Sequence, residues 1–496
     1  MGSGVVVLKF GGSSCDGGER IAGAADIAAA RPEPLVVVVS AMGKGTSELQ
    51  ALAAQAAKGD PEGAQRGLEA WLERHRQALA EAAGTGEETA WARAAIDEEG
   101  DRVASELERI AGEGEVSPQD NDAVVSAGEL LSSRLFAAAL AARGVPARWI
   151  DPRDLVATDD RFGAARPDRA RIYRKVERRV RPALDRGEVV VTGGYVGRAV
   201  TGPGAGETTT MGRESSDLSA TLLGAALRAE AVEIWTDVDG ILTADPRLVP
   251  DARLVPALSY GEAAMLARLG AKVIHPDTVA PAAKVGAEVR IRNRFRPEAP
   301  GSVIGSKCCD APLWTIAARE TLLETRDGER VKVRFPSEGS WALATGYRLG
   351  SVPLTLRVSR KVIERVGRTP RVLVSLVGRV RELDRAVADR IRKALAGLDA
   401  VPVPGRGIAI SHLLALDQAR EAVERLHRVA FEELAAAQDV TREPAPAAAR
   451  GDAAERAAGR APEHAPAARA RVATGAQRVG GGAARAAAGS AARRAR

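Results

Sequence analysis

Three polar segments of this chain carry residue types that suit the transfer of a phosphoryl group, and each follows an apolar run: 5–14, 208–217 and 234–247. Together they supply a lysine, glycines, an arginine, hydroxyl groups and several acidic side chains. Phosphoryl transfer depends on holding the reacting groups together and on stabilising negative charge in the transition state. The sequence therefore predicts that these loops meet and transfer phosphate from a nucleotide to a small acid.

Lys9 stands at the end of its apolar run and directly precedes the turn that contains Gly11 and Gly12. Glycines let backbone N–H groups approach a phosphate closely, and the start of the next helix adds the positive end of its dipole. A lysine at this place would neutralise charge on the transferring phosphate. A solvated lysine before an ordinary turn is the alternative, and this segment alone does not decide between them.

Arg213 and Asp217 are four residues apart, just before a predicted helix. The arginine could hold a carboxylate through two parallel hydrogen bonds, and Asp217 could order Lys9 and a metal–phosphate complex. An exposed salt bridge with a helix cap is the alternative reading of the same spacing. Ser40 and Thr46 could bind a ligand through their hydroxyl groups, or could be ordinary turn and cap residues.

Asp237, Asp239 and Asp245 lie on a loop that follows another buried strand. In α/β proteins, ligands bind beyond the carboxyl ends of the strands. Asp-Gly and Asp-Pro pairs are also common in plain turns, which is the alternative. The functional interpretation is favoured because all of these loops are expected at the same end of the sheet.

The predicted fold is α/β, with a mostly parallel central sheet between helical layers. Valine-rich runs at 5–10 and 35–40 predict strands buried on both faces, and the helical segment 21–30 between them makes a right-handed βαβ unit. Further strands are predicted at 148–150, 189–192, 231–235 and 287–292, and further helices at 219–229 and 260–269. Residues 46–112 predict an inserted helical layer. Residues 122–143 predict one long helix, with Asp120 or Asn121 as its N-cap.

A second region begins near Pro312 and is predicted to form a small α+β module. Its predicted strands are 331–334, 341–344, 354–358, 372–377 and 407–414, and its predicted helices are 383–396 and 419–431. Beyond about Ala435 the composition changes to alanine, arginine, glycine and proline, and no aromatic residue follows Phe431. Such a segment buries too little apolar surface to offset its ordering entropy, so residues 435–496 are predicted to be disordered.

Composition and charge limit the partners of this chain. Charged residues make up 27% and hydrophobic residues 45% of the 496 residues, as in ordinary globular proteins. The formal net charge is +6, but eleven arginines against four acidic residues follow Thr441, a net +7, so the rest carries −1. This distribution gives no indication of a nucleic-acid partner.

The cysteines and histidines show no disulfide framework and no metal-ligand spacing, so no metal site built from protein side chains is predicted. Three cysteines in 496 residues fit a reducing cytoplasm, which is the expected location. No apolar run approaches the roughly 18 residues of a membrane-spanning helix, so no membrane association is expected.

The ordered motifs of the chain resemble those of aspartate kinases, in the amino-acid kinase superfamily, over about residues 5–306. The resemblance is carried by residues 9–14, 39–46, 128–129, 158–163, 192–197, 208–217, 235–240, 245–247, 270–276 and 293. It implies the amino-acid kinase fold and the ATP-dependent phosphorylation of the L-aspartate side-chain carboxylate. The products would be 4-phospho-L-aspartate and ADP, at the entry to lysine, threonine and methionine biosynthesis, with Mg²⁺ bridging the phosphates.

The resemblance also implies a role for each residue that matches a family motif. Lys9 would neutralise the transferring phosphoryl group, and Asp217 would order the groups that bind phosphate. Arg213 would hold a carboxylate of the substrate, and Glu129 its amino group. The complete substrate-binding set would be Ser40, Thr46, Glu129, Arg213, Glu214, Ser215 and Ser216. The nucleotide-binding set would be Lys9, Phe10, Gly11, Gly12, Thr236, Asp237, Leu242, Arg247, Lys272 and Val273.

Two positions depart from the usual family pattern. Glu214 and Ser215 replace a glycine pair after the arginine, and Leu242 replaces a frequent tyrosine. Glycines allow close backbone approach, so the first change could tighten the pocket or alter the choice of substrate. A related kinase acting on another small carboxylate or carbamate is one alternative function, and a catalytically inactive amino-acid sensor is a second.

The C-terminal region resembles the paired, ferredoxin-like ACT modules that bind feedback amino acids. Residues 406–416 and 419–433 fit the second module, whereas 313–365 match the first poorly. The expected organisation is a catalytic domain at 1–306, an ACT-like regulatory region at 313–434 with its second module at about 370–433, and the tail at 435–496. The expected effectors are lysine or threonine, and the expected assembly is a homo-oligomer, dimer or higher, formed through the ACT region.

Overall fold

The computed structural model describes residues 4–212, 215–269, 277–306, 315–326, 330–334, 354–357, 371–378, 385–403 and 409–433. The predicted disordered tail at 435–496 and the predicted strand at 341–344 lie outside these residues. The boundaries of the catalytic and regulatory regions therefore stay predictions, whereas the predicted α/β architecture is confirmed.

A mostly parallel sheet organises the N-terminal part of the chain. Its strands are β1 (Val6–Phe10), β2 (Leu35–Val39), β3 (Ala147–Trp149), β5 (Val189–Gly193), β8 (Ala231–Thr236), β9 (Ala257–Ser259), β10 (Glu288–Asn293) and β11 (Ser302–Gly305). They lie in the order β3-β5-β2-β1-β8-β10-β11-β9, and β10 and β11 pair antiparallel. Every residue of β2 is buried, as expected for a strand covered by helices on both faces.

Helices cover this sheet and form the additional layer that was expected after β2. They are α1 (Gly18–Ala29), α2 (Gly45–Ala57), α3 (Pro61–Ala83), α4 (Ala90–Glu113), α5 (Pro118–Val125), α6 (Ala127–Ala141), α7 (Pro152–Leu155), α8 (Arg169–Arg179), α9 (Arg181–Asp185), α10 (Ser216–Leu227), α11 (Tyr260–Arg268) and α12 (Val279–Val285). Phe10 stacks on Phe136 of α6 and on Trp235 of β8, with ring centroids 5.3 and 6.0 Å apart. These three aromatic rings join helix α6 to strands β1 and β8 at the centre of the sheet.

The single helix predicted at 122–143 is in fact two helices, α5 and α6, which meet at Ser126. The predicted N-cap was also wrong, because the cap is Ser117. Its hydroxyl accepts a hydrogen bond from the Asp120 N–H (3.2 Å), and the Asp120 carboxylate accepts one from the Ser117 N–H (3.0 Å). Pro118 follows as the first helical residue, where its missing N–H costs nothing.

The stretch Pro118–Ala141 is also long and apolar enough, by length and composition, to cross a membrane. However, 89% of its most apolar window is buried inside the protein, and Phe136 and Leu140 are fully buried. This burial is what a core helix shows.

A small second sheet lies near the carboxyl ends of the central strands. It consists of β4 (Ala157–Thr158), β6 (Val196–Ala199) and β7 (Thr208–Thr210), in the order β4-β6-β7. The Thr158 and Thr209 hydroxyl groups lie 2.7 Å apart and join its two outer strands. β7 ends at Thr210, and the chain continues from there toward Asp217.

The C-terminal region adds an antiparallel sheet with two helices, which agrees with the predicted α+β module. Its strands are β12 (Thr315–Arg326), β13 (Arg330–Arg334), β14 (Leu354–Arg357), β15 (Arg371–Val377), β16 (Val401–Val403) and β17 (Ala409–Leu414), in the order β14-β13-β12-β15-β17-β16. Its helices are α13 (Arg385–Ala394) and α14 (Ala419–His427). The long strand β12 was not predicted, and it joins the outer pair β13–β14 to the inner strands.

Candidate active site

An ion pair between Lys9 and Asp217 lies at the centre of the candidate site. The Lys9 Nζ is 2.6 Å from the Asp217 Oδ1, and each side chain is 12% exposed. Lys9 comes from the carboxyl end of β1, and Asp217 from the first turn of α10. Two segments separated by more than 200 residues therefore bring their charges together, as the sequence analysis expected for a lysine ordered by an aspartate.

Glycines allow the loops after β1, β2 and β5 to touch around this pair. The Gly43 N–H donates to the Gly12 carbonyl (3.1 Å), and the Gly194 N–H donates to the Val39 carbonyl (2.9 Å). A Cβ atom on Gly12 would lie 2.6 Å from the Gly43 carbonyl oxygen, and one on Gly194 would lie 2.6 Å from the Ser216 Cβ. A side chain at Gly12 would therefore force the loops after β1 and β2 apart, and one at Gly194 would displace the start of α10.

Glu129 lies in the first turn of α6 and is buried beside the same loops. Its side chain is 3% exposed overall, and its Oε2 atom has no hydrogen-bond partner. Burial raises the pKa of the Glu129 carboxyl to about 8, although the Ala41 N–H and the Lys9 charge act in the opposite direction. A buried carboxylate with a vacant acceptor atom can take a cationic group of a ligand.

The other predicted substrate residues surround this centre. Ser40 follows β2 and is half-buried, and its carbonyl accepts a hydrogen bond from the Ser132 hydroxyl (2.7 Å). Thr46 is half-buried in the first turn of α2. Ser215 and Ser216 are buried at the start of α10. Arg213 and Glu214 lie outside the described residues.

The predicted nucleotide loop begins at the end of β8. Thr236 donates from its hydroxyl to the Asp237 carboxylate (3.2 Å), and Asp237 is exposed. Asp239 is held by the Asn293 side-chain amide (2.7 Å) and by an ion pair with Arg296. This loop therefore presents a hydroxyl and a carboxylate at the same end of the sheet as Lys9.

The other residues predicted to bind the nucleotide differ in their burial and in their contacts. The Phe10 side chain is fully buried in the aromatic core, so only its backbone can face a ligand. Leu242 packs against the hydrophobic cluster of the C-terminal region. Arg247 is exposed and contacts the Asp245 carboxylate (2.6 Å). Lys272 and Val273 lie outside the described residues.

Tyr195 was not singled out in the sequence analysis, although it has an unusual backbone conformation beside the site. Its φ is +62°, in the left-handed region that non-glycine residues seldom adopt. Its N–H donates to the Ser219 hydroxyl of α10 (3.0 Å), and its carbonyl accepts from the Met211 N–H (3.0 Å). Such strain concentrates at functional sites, and the preceding glycine pair was the available signal in the sequence.

Metal ligation by protein side chains is limited in the part of the chain that the structure describes. There, no group of three or more histidine, cysteine, aspartate or glutamate side chains could hold a metal ion. Asp237 is an exposed carboxylate at this end of the sheet, and carboxylate oxygens are ligands that Mg²⁺ accepts alongside phosphate oxygens.

Comparisons with known proteins agree with this geometry. The sequence model of the Amino acid kinase family matches residues 4–293. Lysine-sensitive aspartokinase 3 of Escherichia coli (strain K12) is 36% identical over 328 residues, which are 64% of this chain and 69% of that protein. The chloroplastic aspartokinase 1 of Arabidopsis thaliana is 35% identical over 303 residues, which are 60% of this chain and 51% of that protein.

A solved structure extends the similarity into the C-terminal region. The crystal structure of E. coli aspartokinase III in complex with aspartate and ADP superposes with a TM-score of 0.69 and 30% sequence identity. The match covers 86% of this chain and 100% of that chain.

Proposed function

This chain belongs to the amino acid kinase family, and within it to the aspartokinases, and from that premise we propose that it transfers the γ-phosphoryl group of ATP to the side-chain carboxylate of L-aspartate. The products are 4-phospho-L-aspartate and ADP. The observation that carries the proposal is the Lys9–Asp217 ion pair, which lies where the glycine-lined loops meet beside the buried Glu129. The E. coli relative whose structure matches most of this chain was crystallised with aspartate and ADP.

The transfer needs no general base. A carboxylate oxygen of aspartate forms a bond to the γ-phosphorus, while the bond to the β,γ-bridging oxygen breaks and ADP leaves with its electron pair. A carboxylic acid is already ionised at neutral pH, so no proton has to be removed from it. The obstacle is the approach of two anions, and Lys9 reduces it by placing positive charge at the transferring group.

The roles of the other residues follow from their chemistry. Glu129 binds the ammonium group of aspartate, so its buried carboxylate gains a partner of opposite charge. Arg213 binds the α-carboxylate of the substrate in this proposal. Asp217 fixes the position of the Lys9 ammonium group, and Thr236 and Asp237 contact the nucleotide. Mg²⁺ bound to the ATP phosphates would neutralise part of their charge, and Asp237 would be the carboxylate placed to help hold it.

Regulation and assembly extend the proposal to the C-terminal region. The E. coli relative is named as lysine-sensitive, so lysine is the first effector to test on this chain, followed by threonine. We propose that the effector binds the antiparallel sheet region and that the same region joins subunits into a dimer or higher homo-oligomer. The cytoplasm is the proposed location, which the buried free thiol of Cys15 supports.

The test is ADP release by the purified full-length protein with ATP, Mg²⁺ and L-aspartate. Hydroxylamine in the same assay converts an acyl phosphate into a hydroxamate, which identifies the carboxylate as the acceptor. Lys9→Met is expected to lower kcat by about 100- to 1,000-fold, the typical cost of removing one group that stabilises transition-state charge. Lys58→Met, at the exposed C-terminal end of α2, is the matched control and is expected to keep the wild-type rate.

Two outcomes would replace the proposal with the alternatives that the sequence left open. Turnover of L-glutamate or N-acetylglutamate but not L-aspartate would indicate a related kinase with another acceptor. Binding of aspartate or lysine without any turnover would indicate an amino-acid sensor. Inhibition by added lysine or threonine in the same assay tests the proposed regulation.

A further inference from the structure

The side chain of Asp122 joins two segments that lead into the candidate site. Asp122 is on α5 and is fully buried. Its Oδ1 accepts a hydrogen bond from the Thr210 hydroxyl (2.6 Å), and its Oδ2 accepts from the N–H groups of Thr210 and Gly163 (2.8 Å each). One carboxylate therefore satisfies three donors from two separate segments, the end of β7 and the loop at Gly163.

We propose that Asp122 is a positioning residue: it holds Met211 and Gly212, the described start of the substrate loop (residues 211–216), in the arrangement that binds aspartate. This inference rests on the proposed function for the identity of the ligand. Thr210, the last residue of β7, immediately precedes the substrate loop, and Arg213 follows Thr210 by three residues. A shift of Thr210 would therefore move Met211 and Gly212, which lead in sequence to the residue proposed to bind the α-carboxylate.

The substrate loop is anchored on both sides, and Asp122 supplies the anchor before it. After the loop, Asp217 is fixed by its ion pair with Lys9 (2.6 Å). Within the loop, the Met211 N–H donates to the Tyr195 carbonyl (3.0 Å), and the Ser215 hydroxyl donates to the Gly212 carbonyl (2.7 Å). Binding sites need such fixed ends, because a misplacement of about 1 Å can cost about 100-fold in rate.

The position of β7 at the edge of its small sheet explains why an anchor is needed there. In the order β4-β6-β7, the outer side of β7 has no neighbouring strand of that sheet among the described residues. Asp122 pairs the Thr210 N–H, which is buried and would otherwise be unsatisfied. Burial raises the pKa of the Asp122 carboxyl, while its hydrogen bonds to Thr210 and Gly163 act in the opposite direction and favour the ionised form.

Two substitutions of Asp122 differ in the hydrogen bonds that they can keep. In Asp122→Ala all three acceptor contacts are lost. In Asp122→Asn the side-chain oxygen can accept from the two N–H groups, while its amide can donate to the Thr210 hydroxyl. The second variant therefore keeps the geometry without the charge. Asp120→Ala is the matched control, because Asp120 is a buried carboxylate that caps the same helix through Ser117.

The first measurement is the steady-state kinetics of the full-length protein and the three variants. Asp122→Ala is expected to raise the KM for aspartate about tenfold or more, since the three hydrogen bonds that fix Thr210 and Gly163 are lost. It is expected to change the KM for ATP less than about threefold. Asp122→Asn is expected to stay within about threefold of the wild type for both substrates. Equal increases of both KM values, or the same pattern in Asp120→Ala, would show that Asp122 only stabilises α5.

The second measurement does not depend on the reaction. Hydrogen exchange followed by mass spectrometry is expected to show faster exchange of peptides covering residues 208–217 in Asp122→Ala, but not in Asp122→Asn or Asp120→Ala. Unchanged exchange in Asp122→Ala would overturn the proposal. Absence of aspartate-dependent turnover in the wild-type protein would instead overturn the proposed function, and the exchange experiment would still test the anchor.

Discussion

Glu129 shows how one buried residue can make substrate binding depend on pH. Its carboxyl has a pKa of about 8 because burial disfavours the charged form, and Lys9 offsets this only in part. The proposed ligand brings an ammonium group, which requires the ionised form of Glu129. Below pH 8 the empty site is therefore increasingly protonated, and each bound aspartate must displace a proton.

We predict that kcat/KM for aspartate falls about tenfold for each pH unit below 8, because this parameter reports ionisations of the free enzyme. The measurement is the profile of kcat/KM for aspartate between pH 6 and pH 9, at saturating ATP. Glu129→Gln should have a much lower kcat/KM and should lose the limb of the profile near pH 8. A wild-type profile that is flat between pH 6 and pH 8 would contradict the assignment of the ammonium site to Glu129.

At the scale of elements, strand β8 contains a buried carboxylate in the centre of the sheet. Glu233 is fully buried, and it forms ion pairs with Arg31 after α1 (3.1 Å) and with Arg290 of β10 (3.4 Å). These pairs join the strand that carries Thr236 to its neighbours. Hydrogen bonds to a buried charged group contribute more to stability than exposed ion pairs do.

Glu233→Ala is predicted to lower the free energy of unfolding by about 2 kcal/mol, because the charge-assisted hydrogen bonds of Glu233 to Arg31 and Arg290 are lost. The two arginines keep their other carboxylate partners, Glu33 and Glu288. Urea denaturation of the full-length protein measures this change. Glu288→Ala is the control, because Glu288 also pairs with Arg290 (2.8 Å) but is 45% exposed, and its loss should cost less than about 1 kcal/mol. Equal losses in the two variants would mean that burial of Glu233 adds no stability.

The sequence predicted the central strands well because valine-rich runs leave few alternatives to a buried parallel strand. It did not predict the break between α5 and α6, since the side chains around Ser126 continue an apolar pattern across it. The cap at Ser117 was missed because Asp120 and Asn121 are also good cap residues, and only the reciprocal contacts decide between them. The strand β12 was missed because its outer half is charged, at Arg319, Glu320 and Glu324.

Some residues of the candidate site can be predicted from their own motifs, whereas others depend on contacts with residues that are distant in the sequence. Lys9 and Asp217 were predicted from their motifs, and their contact followed from the expectation that the strands end together. The role of Asp122 was not predicted, because a helical aspartate has no local signal when its partners, Gly163 and Thr210, are 41 and 88 residues away in the sequence. The positive φ of Tyr195 is likewise fixed by tertiary contacts with α10 and Met211.

At the scale of the whole molecule, the loop that follows β8 is packed against the C-terminal sheet. The Ile316 N–H of β12 donates to the Thr243 carbonyl (2.9 Å), and the Thr243 hydroxyl lies 3.0 Å from the His427 Nε2 of α14. Leu248 and Val249 of the same loop join the hydrophobic cluster of the C-terminal region. The residues proposed to bind the nucleotide therefore share a segment with contacts to the proposed regulatory region.

We predict that His427→Ala raises the KM for ATP about fivefold, because one buried hydrogen bond is worth about 1 kcal/mol, and that it leaves the KM for aspartate nearly unchanged. The asymmetry follows from position, since Thr243 lies between Asp237 and Arg247, whereas Glu129 and Asp217 belong to other segments. His412→Ala is the matched control, because His412 lies on β17 inside the C-terminal sheet. Initial rates over a matrix of ATP and aspartate concentrations give both KM values for each variant.

If both histidine variants changed the two KM values alike, general loosening of the sheet would explain the result. If His427→Ala changed neither value, the nucleotide loop would hold its shape without this contact. The Ile316–Thr243 hydrogen bond and the surrounding apolar packing would then be the next contacts to test among the described residues.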